Sequence, residues 1–279
     1  MNTAMAEETD VSQHYSSGKL MERLRAVLAA EGIDPDRPTV EQLALFDHFH
    51  GRGLEATEQA ANLVSVQSTD HILDVGSGIG GPARYFAHRF GCRVTGIDLT
   101  AEFCVVARVL TRAVGLADRI AFEQGNALAT PFPDARFDGA YSLNVSMNIA
   151  DKAGLYREIH RVLKPGAWFV LAEVAQGPAG DPTYPTPWAK TAETSFLATP
   201  DETRQSLADA GFAVVRSRDT AADAAAFTAR TRAMIERGEK PPFQAIQVIH
   251  GDLARQMAGN GARDLAAGKI IPIEILCRR

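Results

Sequence analysis

The chain has 279 residues, 46% hydrophobic and 23% charged, enough to bury a full core in one large domain or two small ones. A formal net charge of −5 and a pI near 5.8, without a clustered basic stripe, argue against a nucleic-acid partner. No run of about 18 uninterrupted apolar residues occurs, so no membrane span is expected, and Cys92, Cys104 and Cys277 are too few and scattered for a disulfide frame or a metal site.

The opening MNTAMAEETDVSQ is acidic and lacks the basic start and apolar run of a secretory signal. A cytoplasmic location is therefore expected, with residues 1–13 a flexible tail and the three cysteines small buried residues in a reducing compartment. Leu20, Leu24, Val27 and Leu28 share one face of an amphipathic helix that Gly32 stops. Thr39 and Gln42 have capping-box spacing at the start of a second helix, broken by Gly51 and Gly53. A third helix spans about 54–64. Alone these helices have little core, so residues 1–65 read as a helical cap on the rest of the chain.

From His71 short apolar runs alternate with longer helical patterns, the signature of a parallel sheet with crossover helices. Strands are predicted near 71–75, 92–98, 119–123, 137–142 and 167–174, and helices near 81–90, 101–114 and 151–162, the last stopped before Pro165 and Gly166. GPAGDPTYPTPWA then forces an irregular loop at the carboxyl end of the sheet, the edge where ligands bind in such folds. A helix capped at Thr199 or Asp201 and closed by Gly211 leads into a strand near 213–218. Helices fill about 221–268 and IIPIEILC makes a last strand, where Pro272 suggests a sheet edge or a strand start. Residues 66–279 thus read as one Rossmann-like α/β domain with a helical insertion at about 221–268.

The sharpest signal is ILDVGSGIGGPARYFAHRF: a strand, then Gly76, Ser77, Gly78, Gly80 and Gly81, then Pro82 at a helix start. Glycines let the backbone take positive φ and meet a ligand closely, beside the free N–H groups of a helix N-terminus. A plain tight turn is the rival reading. Asp98 ends the next strand twenty residues past Gly78, where a carboxylate accepts from both hydroxyls of a ribose, although it also suits the N-terminus of the following helix. Gly76, Gly78 and Gly81 satisfy the dinucleotide G-x-G-x-x-G spacing, so an NAD(P)-dependent oxidoreductase is one alternative. Asp74, two residues before the first glycine, opposes it. That carboxylate repels a diphosphate and attracts a ligand carrying an ammonium group.

DVGSGIGG, Asp98 in GIDLT, Asn126 and Ala127 in EQGNALATPFPDARFD, and LKPG before the fifth strand together resemble the motif series of class I S-adenosylmethionine-dependent methyltransferases, over roughly residues 45–220. The resemblance implies a seven-stranded, mostly parallel sheet with an antiparallel last strand in a three-layer αβα arrangement, and S-adenosyl-L-methionine as cofactor. It implies that Gly76 and Gly78 face the donor's amino-acid part, Asp98 the ribose, Leu99 the adenine face, and Asn126 with Ala127 the adenine edge; Asp74 and Ser77 are further candidate cofactor-binding residues. Asn126 stands where many relatives carry Asp; its amide oxygen still accepts a hydrogen bond.

FDHFHGRGLEAT and NVSMNIADKAGLYREIHRVLKPG are more similar to the small-molecule branch of sarcosine and dimethylglycine N-methyltransferases and tocopherol- and sterol-type enzymes. Betaine-forming members tend to carry Gln-His before the Met-Asn pair, and the positions here hold Leu143, Asn144, Val145 and Ser146. The resemblance places Asn144 at the methyl-donor site, with Asn148 behind it; a polar turn cap is the other reading of Asn144. Methyl transfer to N or O of a small-molecule acceptor is the expected reaction, and a non-catalytic adenosylmethionine-binding protein on the same fold is the second alternative. Such transfer chiefly needs positioning and desolvation, with a base only where the acceptor must lose a proton. His14, His48 and His50 are the candidate bases, each with a packing role as its rival reading. Tyr15, Phe49, Arg52, Asn148, Tyr184 and Trp188 are the candidate substrate-pocket residues, from the cap and the 178–198 loop. The 221–268 helices either close that pocket or make the contact of a homodimer.

Overall fold

The computed structural model describes residues 14–16, 18–241 and 244–279, so the expected flexible tail at 1–13 lies outside the described residues. Three helices come first: α1 (Leu20–Ala30), α2 (Val40–Asp47) and α3 (Leu54–Asn62). The alternating part is β1 (His71–Val75), α4 (Gly81–Phe90), β2 (Arg93–Asp98), α5 (Ala101–Ala113), β3 (Ile120–Gln124), β4 (Phe137–Leu143), α6 (Lys152–Val162) and β5 (Leu163–Gln176). It continues through α7 (Pro200–Asp209), β6 (Ala213–Asp219), α8 (Ala221–Glu236), α9 (Ala245–His250), α10 (Ala254–Ala266) and β7 (Ile270–Arg278).

The seven strands form one sheet in the order β3-β2-β1-β4-β5-β7-β6. β1 to β5 pair in parallel, while β7 runs antiparallel to both β5 and β6. Helices cover both faces, so neighbouring residues of one strand enter different cores. Leu73, Ala140, Phe169 and Leu171 pack with Leu155, Tyr156 and Ile159 of α6. Ile72, Tyr141 and Val170 pack on the other face with Ala83, Phe86 and Ala87 of α4.

The cap joins the sheet layers through a third apolar cluster. Leu20, Leu24 and Leu28 of α1 and Leu43 and Phe46 of α2 pack with Phe103, Val106 and Leu110 of α5 and Val248 and Ile249 of α9. Each fully buried leucine contributes about 1.5–3 kcal/mol over its exposed state, which fixes the cap on the sheet's carboxyl edge. The α2 start carries a complete capping box, with Thr39 Oγ1 accepting from the Gln42 N–H at 3.2 Å and Gln42 Oε1 from the Thr39 N–H at 2.9 Å.

Two strand expectations are corrected. β5 begins at Leu163 and not near 167, because a register shift lets β5 run four residues past one on β4, while the Gly166 N–H finds the Arg279 carbonyl at 2.9 Å. β7 is an interior strand, so Pro272 does not mark a sheet edge. Pro272 is tolerated as the third strand residue because the β6 ladder ends one position earlier, at the Asp219–Ile273 pair, and the Pro272 carbonyl instead accepts the Thr220 N–H at 2.8 Å. None of the described helices is long and apolar enough to cross a membrane.

Candidate functional site

The connection between β1 and α4 is folded around glycine for two separate reasons. At Gly76, φ is +71° and a Cβ would stand 2.3 Å from Val145 Cγ2, so no side chain fits. At Gly78, φ is +53° and the Cβ position opens on empty space, which leaves bare backbone facing a cavity. The Gly76 and Ser77 N–H groups both donate to the Ile97 carbonyl, at 2.8 and 3.0 Å, anchoring the turn to β2.

Asp98 closes β2 beside this turn. Its Oδ2 accepts the Gly78 N–H at 2.8 Å and its Oδ1 accepts the Thr100 N–H at 2.8 Å. Thr100 sits at the N-cap of α5 without a side-chain capping bond, so Asp98 serves that helix end while also bordering the cavity. Burial raises the Asp98 pKa, against the lowering effect of the bonds from Thr100 and Gly78. Each oxygen keeps a lone pair for a further donor.

The cavity, about 330 Å³, lies at the carboxyl ends of β1, β2 and β4. It brings together Asp74, Gly76, Ser77, Gly78, Asp98, Leu99, Asn126, Ala127 and Asn144, with Tyr15, Asp47, Phe49 and His50 from the cap and Asn148 from the turn after β4. Asp74 is 2% exposed, its carboxyl beside the Tyr141 hydroxyl, and Ser77 Oγ has no hydrogen-bond partner among the described residues. Burial pushes Asp74 up to about 8. Ionising this buried group calls for a cation beside it. The donor implied by the sequence resemblance fits on that ground and on the open backbone at Gly78: it carries an ammonium group and a ribose, and no phosphate.

Asn126 folds its own loop, Oδ1 accepting the Leu128 N–H at 2.8 Å. Asn144 takes φ +57°, a conformation Asn tolerates better than most residues, while its N–H donates to the Ala172 carbonyl at 2.8 Å and prolongs the β4–β5 ladder. Three further residues shape the site that sequence reasoning missed. Glu173 Oε1 accepts the Val145 and Ser146 N–H groups, both at 3.0 Å. Lys152 Nζ donates to the carbonyls of Ser146 at 2.6 Å, Ile149 at 2.9 Å and Phe196 at 2.5 Å. The turn after β4 is thereby held through both its N–H and its carbonyl groups. Arg84, 0% exposed, pairs with Asp47 at 2.8 Å and donates to the Ile79 carbonyl at 2.7 Å, bracing the glycine turn from behind. An acid inside the apolar WFVLAEVA strand and an arginine in the buried first turn of α4 were the signals available.

Several expected pocket residues lie elsewhere. His14 is outside the cavity lining, its Nε2 on the Pro187 carbonyl at 3.2 Å, an acceptor it shares with His250 at 2.9 Å. His48 is also outside, 1% exposed, with Nδ1 2.8 Å from Thr57 Oγ1; that hydroxyl is 3.0 Å from Nε2 of His50, which does line the cavity. Burial drives both His48 and His50 down to about 3, so both imidazoles are neutral at pH 7. Arg52 turns away to Gln59 Oε1 at 2.7 Å and lies near Glu55 and Asp223. Tyr184 and Trp188 pack with Met147, Ala189 and Ile270 behind the turn after β4, and Trp188 Nε1 donates to Ser195 Oγ at 2.9 Å. Among the described residues none of the 178–198 loop lines the cavity; Asn148, which does, donates Nδ2 to the Trp188 and Thr194 carbonyls at 2.7 and 3.2 Å. α8 buries none of its residues and does not close the cavity, whereas α9 reaches the cap core through Val248 and Ile249. Among the described residues no three His, Cys, Asp or Glu side chains gather as metal ligands would.

Residues 73–171, which hold the glycine turn, Asp98, Asn126 and the turn after β4, match the methyltransferase domain family. The chain is 36% identical over 141 residues to the methyltransferase phqN of Penicillium fellutanum, covering 50% of this chain and 40% of that one. It is 30% identical over 168 residues to the methyltransferase GfsG of Streptomyces halstedii, covering 59% and 58%. The chain thus spans roughly half the length of these curated relatives. Among solved structures, the fold is similar to phosphoethanolamine N-methyltransferase 2 of Haemonchus contortus bound to phosphomonomethylethanolamine and S-adenosylhomocysteine, at TM-score 0.69 and 18% identity over 93% of this chain and 60% of that one. Residues 73–171 thus match the methyltransferase domain family, on a seven-stranded Rossmann-like fold shared with solved methyltransferases.

Proposed function

We propose that this chain transfers a methyl group from S-adenosyl-L-methionine to N or O of a small-molecule acceptor. One observation carries the reading: the buried Asp74 carboxyl borders the same cavity as the bare Gly78 backbone and the Asp98 carboxyl. In this reading Asp74 and Ser77 take the donor's ammonium group, the backbone at Gly76 and Gly78 its amino-acid part, and Asp98 the ribose hydroxyls. Leu99, Asn126 and Ala127 border the adenine, and Asn144 the reacting end.

When bound, the donor supplies an electrophilic methyl carbon on a sulfonium sulfur. The acceptor's lone pair forms the new bond to that carbon as the carbon–sulfur bond breaks and its electrons return to sulfur. The chain's own part is to align the acceptor and keep water out. Tyr15 and Phe49 supply apolar cover from the cap, which we assign to residues 1–65, with residues 66–279 forming the methyltransferase domain. His50 is the candidate base that borders the cavity, yet a neutral imidazole depressed to about 3 is a weak proton acceptor. An acceptor that arrives without a proton to lose suits it best. Free, buried Cys92, Cys104 and Cys277 support a reducing, cytoplasmic setting.

Isothermal titration with S-adenosylhomocysteine, followed by mass-spectrometric screening of host metabolites for a gain of one methyl group, tests the proposal. Binding and one methylated product are expected; absence of binding at roughly 1 mM ligand defeats the donor assignment.

A further inference from the structure

We infer that the acceptor is a largely hydrocarbon molecule without a phosphate group, because the cavity wall offers apolar area and no basic side chain. This inference rests on the methyltransferase reading and deepens it. Beyond the donor residues, the cavity is walled by Tyr15, Phe49, Phe103, Val145 and Ile149. Tyr15 and Phe103 rings lie 5.6 Å apart, and Tyr15 and Phe49 6.0 Å apart, forming a continuous aromatic surface. The chargeable side chains that border the cavity are Asp47, Asp74, Asp98, Asp151, the Tyr15 hydroxyl and the neutral His50; no lysine or arginine among the described residues lines it.

Two cations near the cavity are committed elsewhere. Lys152 spends its three hydrogens on three carbonyls, and Arg84 is bound to Asp47 and to the Ile79 carbonyl. The N-terminus of α6 borders the cavity but is already served by a carboxylate, with Asp151 Oδ1 accepting the Gly154 N–H at 2.7 Å. A phosphate brought to this wall meets no counter-charge and no free helix end, so it loses its hydration without replacement. Positive charge is met differently, since Asp151 borders the cavity and the Asp98 and Glu173 carboxyls both act on Tyr15. What the wall rewards is apolar area, with the Asn148 amide and Tyr15 hydroxyl at its margin as polar handles.

Two probes sharing one ring system test this: 2-naphthol and 2-naphthyl phosphate, titrated at pH 7 into the full chain saturated with S-adenosylhomocysteine. Naphthol is expected to bind at least about tenfold more tightly than the phosphate. In Phe49→Lys, which places an ammonium at the wall, the phosphate is expected to overtake naphthol. The phosphate binding the wild-type chain as tightly as naphthol, naphthol failing to bind, or an unchanged order in Phe49→Lys each overturns the inference. Failure of S-adenosylhomocysteine itself to bind overturns the donor reading and the acceptor class together, whereas the other outcomes strike the acceptor class alone.

Discussion

Asp98 is twenty residues beyond Gly78 in the chain and accepts its N–H at 2.8 Å in the fold, so the acid that ends β2 also sets the shape of the glycine turn. Removing it has two consequences: the ribose loses its acceptor, and the Gly78 and Thr100 N–H groups lose theirs. Charge-assisted bonds of this kind contribute about 1.5–3 kcal/mol each, so Asp98→Ala should weaken S-adenosylhomocysteine binding by about 100-fold or more in titration calorimetry. Asp98→Asn should fall between the two, since one amide oxygen still accepts while the NH2 group faces a backbone donor. Unchanged affinity in Asp98→Ala would remove Asp98 from the ribose site.

Asp74 makes donor binding depend on pH. Its carboxyl is raised from 3.8 to about 8, chiefly by burial, so the ligand-free fold favours the protonated form. That contribution to folding stability is fully present below pH 3.8 and is lost as pH rises through about 8. An ammonium group binds the ionised form, so binding at pH 7 should expel about one proton, and affinity should climb toward pH 8. Calorimetry of S-adenosylhomocysteine in two buffers of different ionisation enthalpy measures the proton count. Asp74→Asn should abolish the release; an unaltered count would show that another group titrates.

The Tyr15 hydroxyl donates to Asn148 Oδ1 at 3.0 Å, and the Asn148 amide in turn ties the Trp188 and Thr194 carbonyls. One side chain therefore links the cap, the turn after β4 and the 178–198 loop. Tyr15→Phe removes one bond and keeps the ring, so a loss of about 0.5–1.5 kcal/mol is expected, concentrated in local opening of the segment around residue 15. Asn148→Ala leaves two carbonyls without their donor and should loosen both loops. Hydrogen exchange at 14–16 and 188–196 distinguishes the two: Tyr15→Phe should speed exchange only in the first segment, Asn148→Ala in both.

Much of this site was legible because its signals are local in sequence. The Thr39 capping box, the glycine turn, Asp98 and the alternation of β1 to β5 each depend on spacings within about twenty residues, where backbone geometry limits the outcomes. Residues whose partners are distant were the ones misread or missed. Trp188 and Tyr184 lie on a proline-rich loop near the ligand edge, but Met147 and Ile270 draw them into a separate apolar cluster. Arg52 has a flexible stem, and Gln59, Glu55 and Asp223 capture it away from the cavity. Glu173 reads as an anomaly in an apolar strand until the turn after β4 brings two N–H groups to it. Pairings of this kind follow from tertiary contact and leave no periodicity in the chain.

Arg84 and Asp47 offer the sharpest test of what holds the cavity in shape. The guanidinium is 0% exposed, with Nη2 2.8 Å from Asp47 Oδ2, Nη1 3.0 Å from Thr111 Oγ1, and the Ile79 carbonyl within reach at 2.7 Å. Burial still leaves Asp47 raised to about 6 against the opposing pull of Arg84. Arg84→Met strands that carboxylate in the interior, so a loss of about 3–5 kcal/mol is expected in urea unfolding at pH 7. The stranded carboxyl then holds its proton to higher pH, so the deficit against wild type should shrink as pH falls and grow as pH rises. Asp47→Asn with Arg84→Met removes both charges, and the double variant should be less destabilised than the sum of the singles by more than about 1 kcal/mol. Additive losses would mean that Arg84 acts through its backbone acceptors alone. Because its bond to the Ile79 carbonyl braces the glycine turn, Arg84→Met should also weaken S-adenosylhomocysteine binding under conditions where the fold is still fully populated.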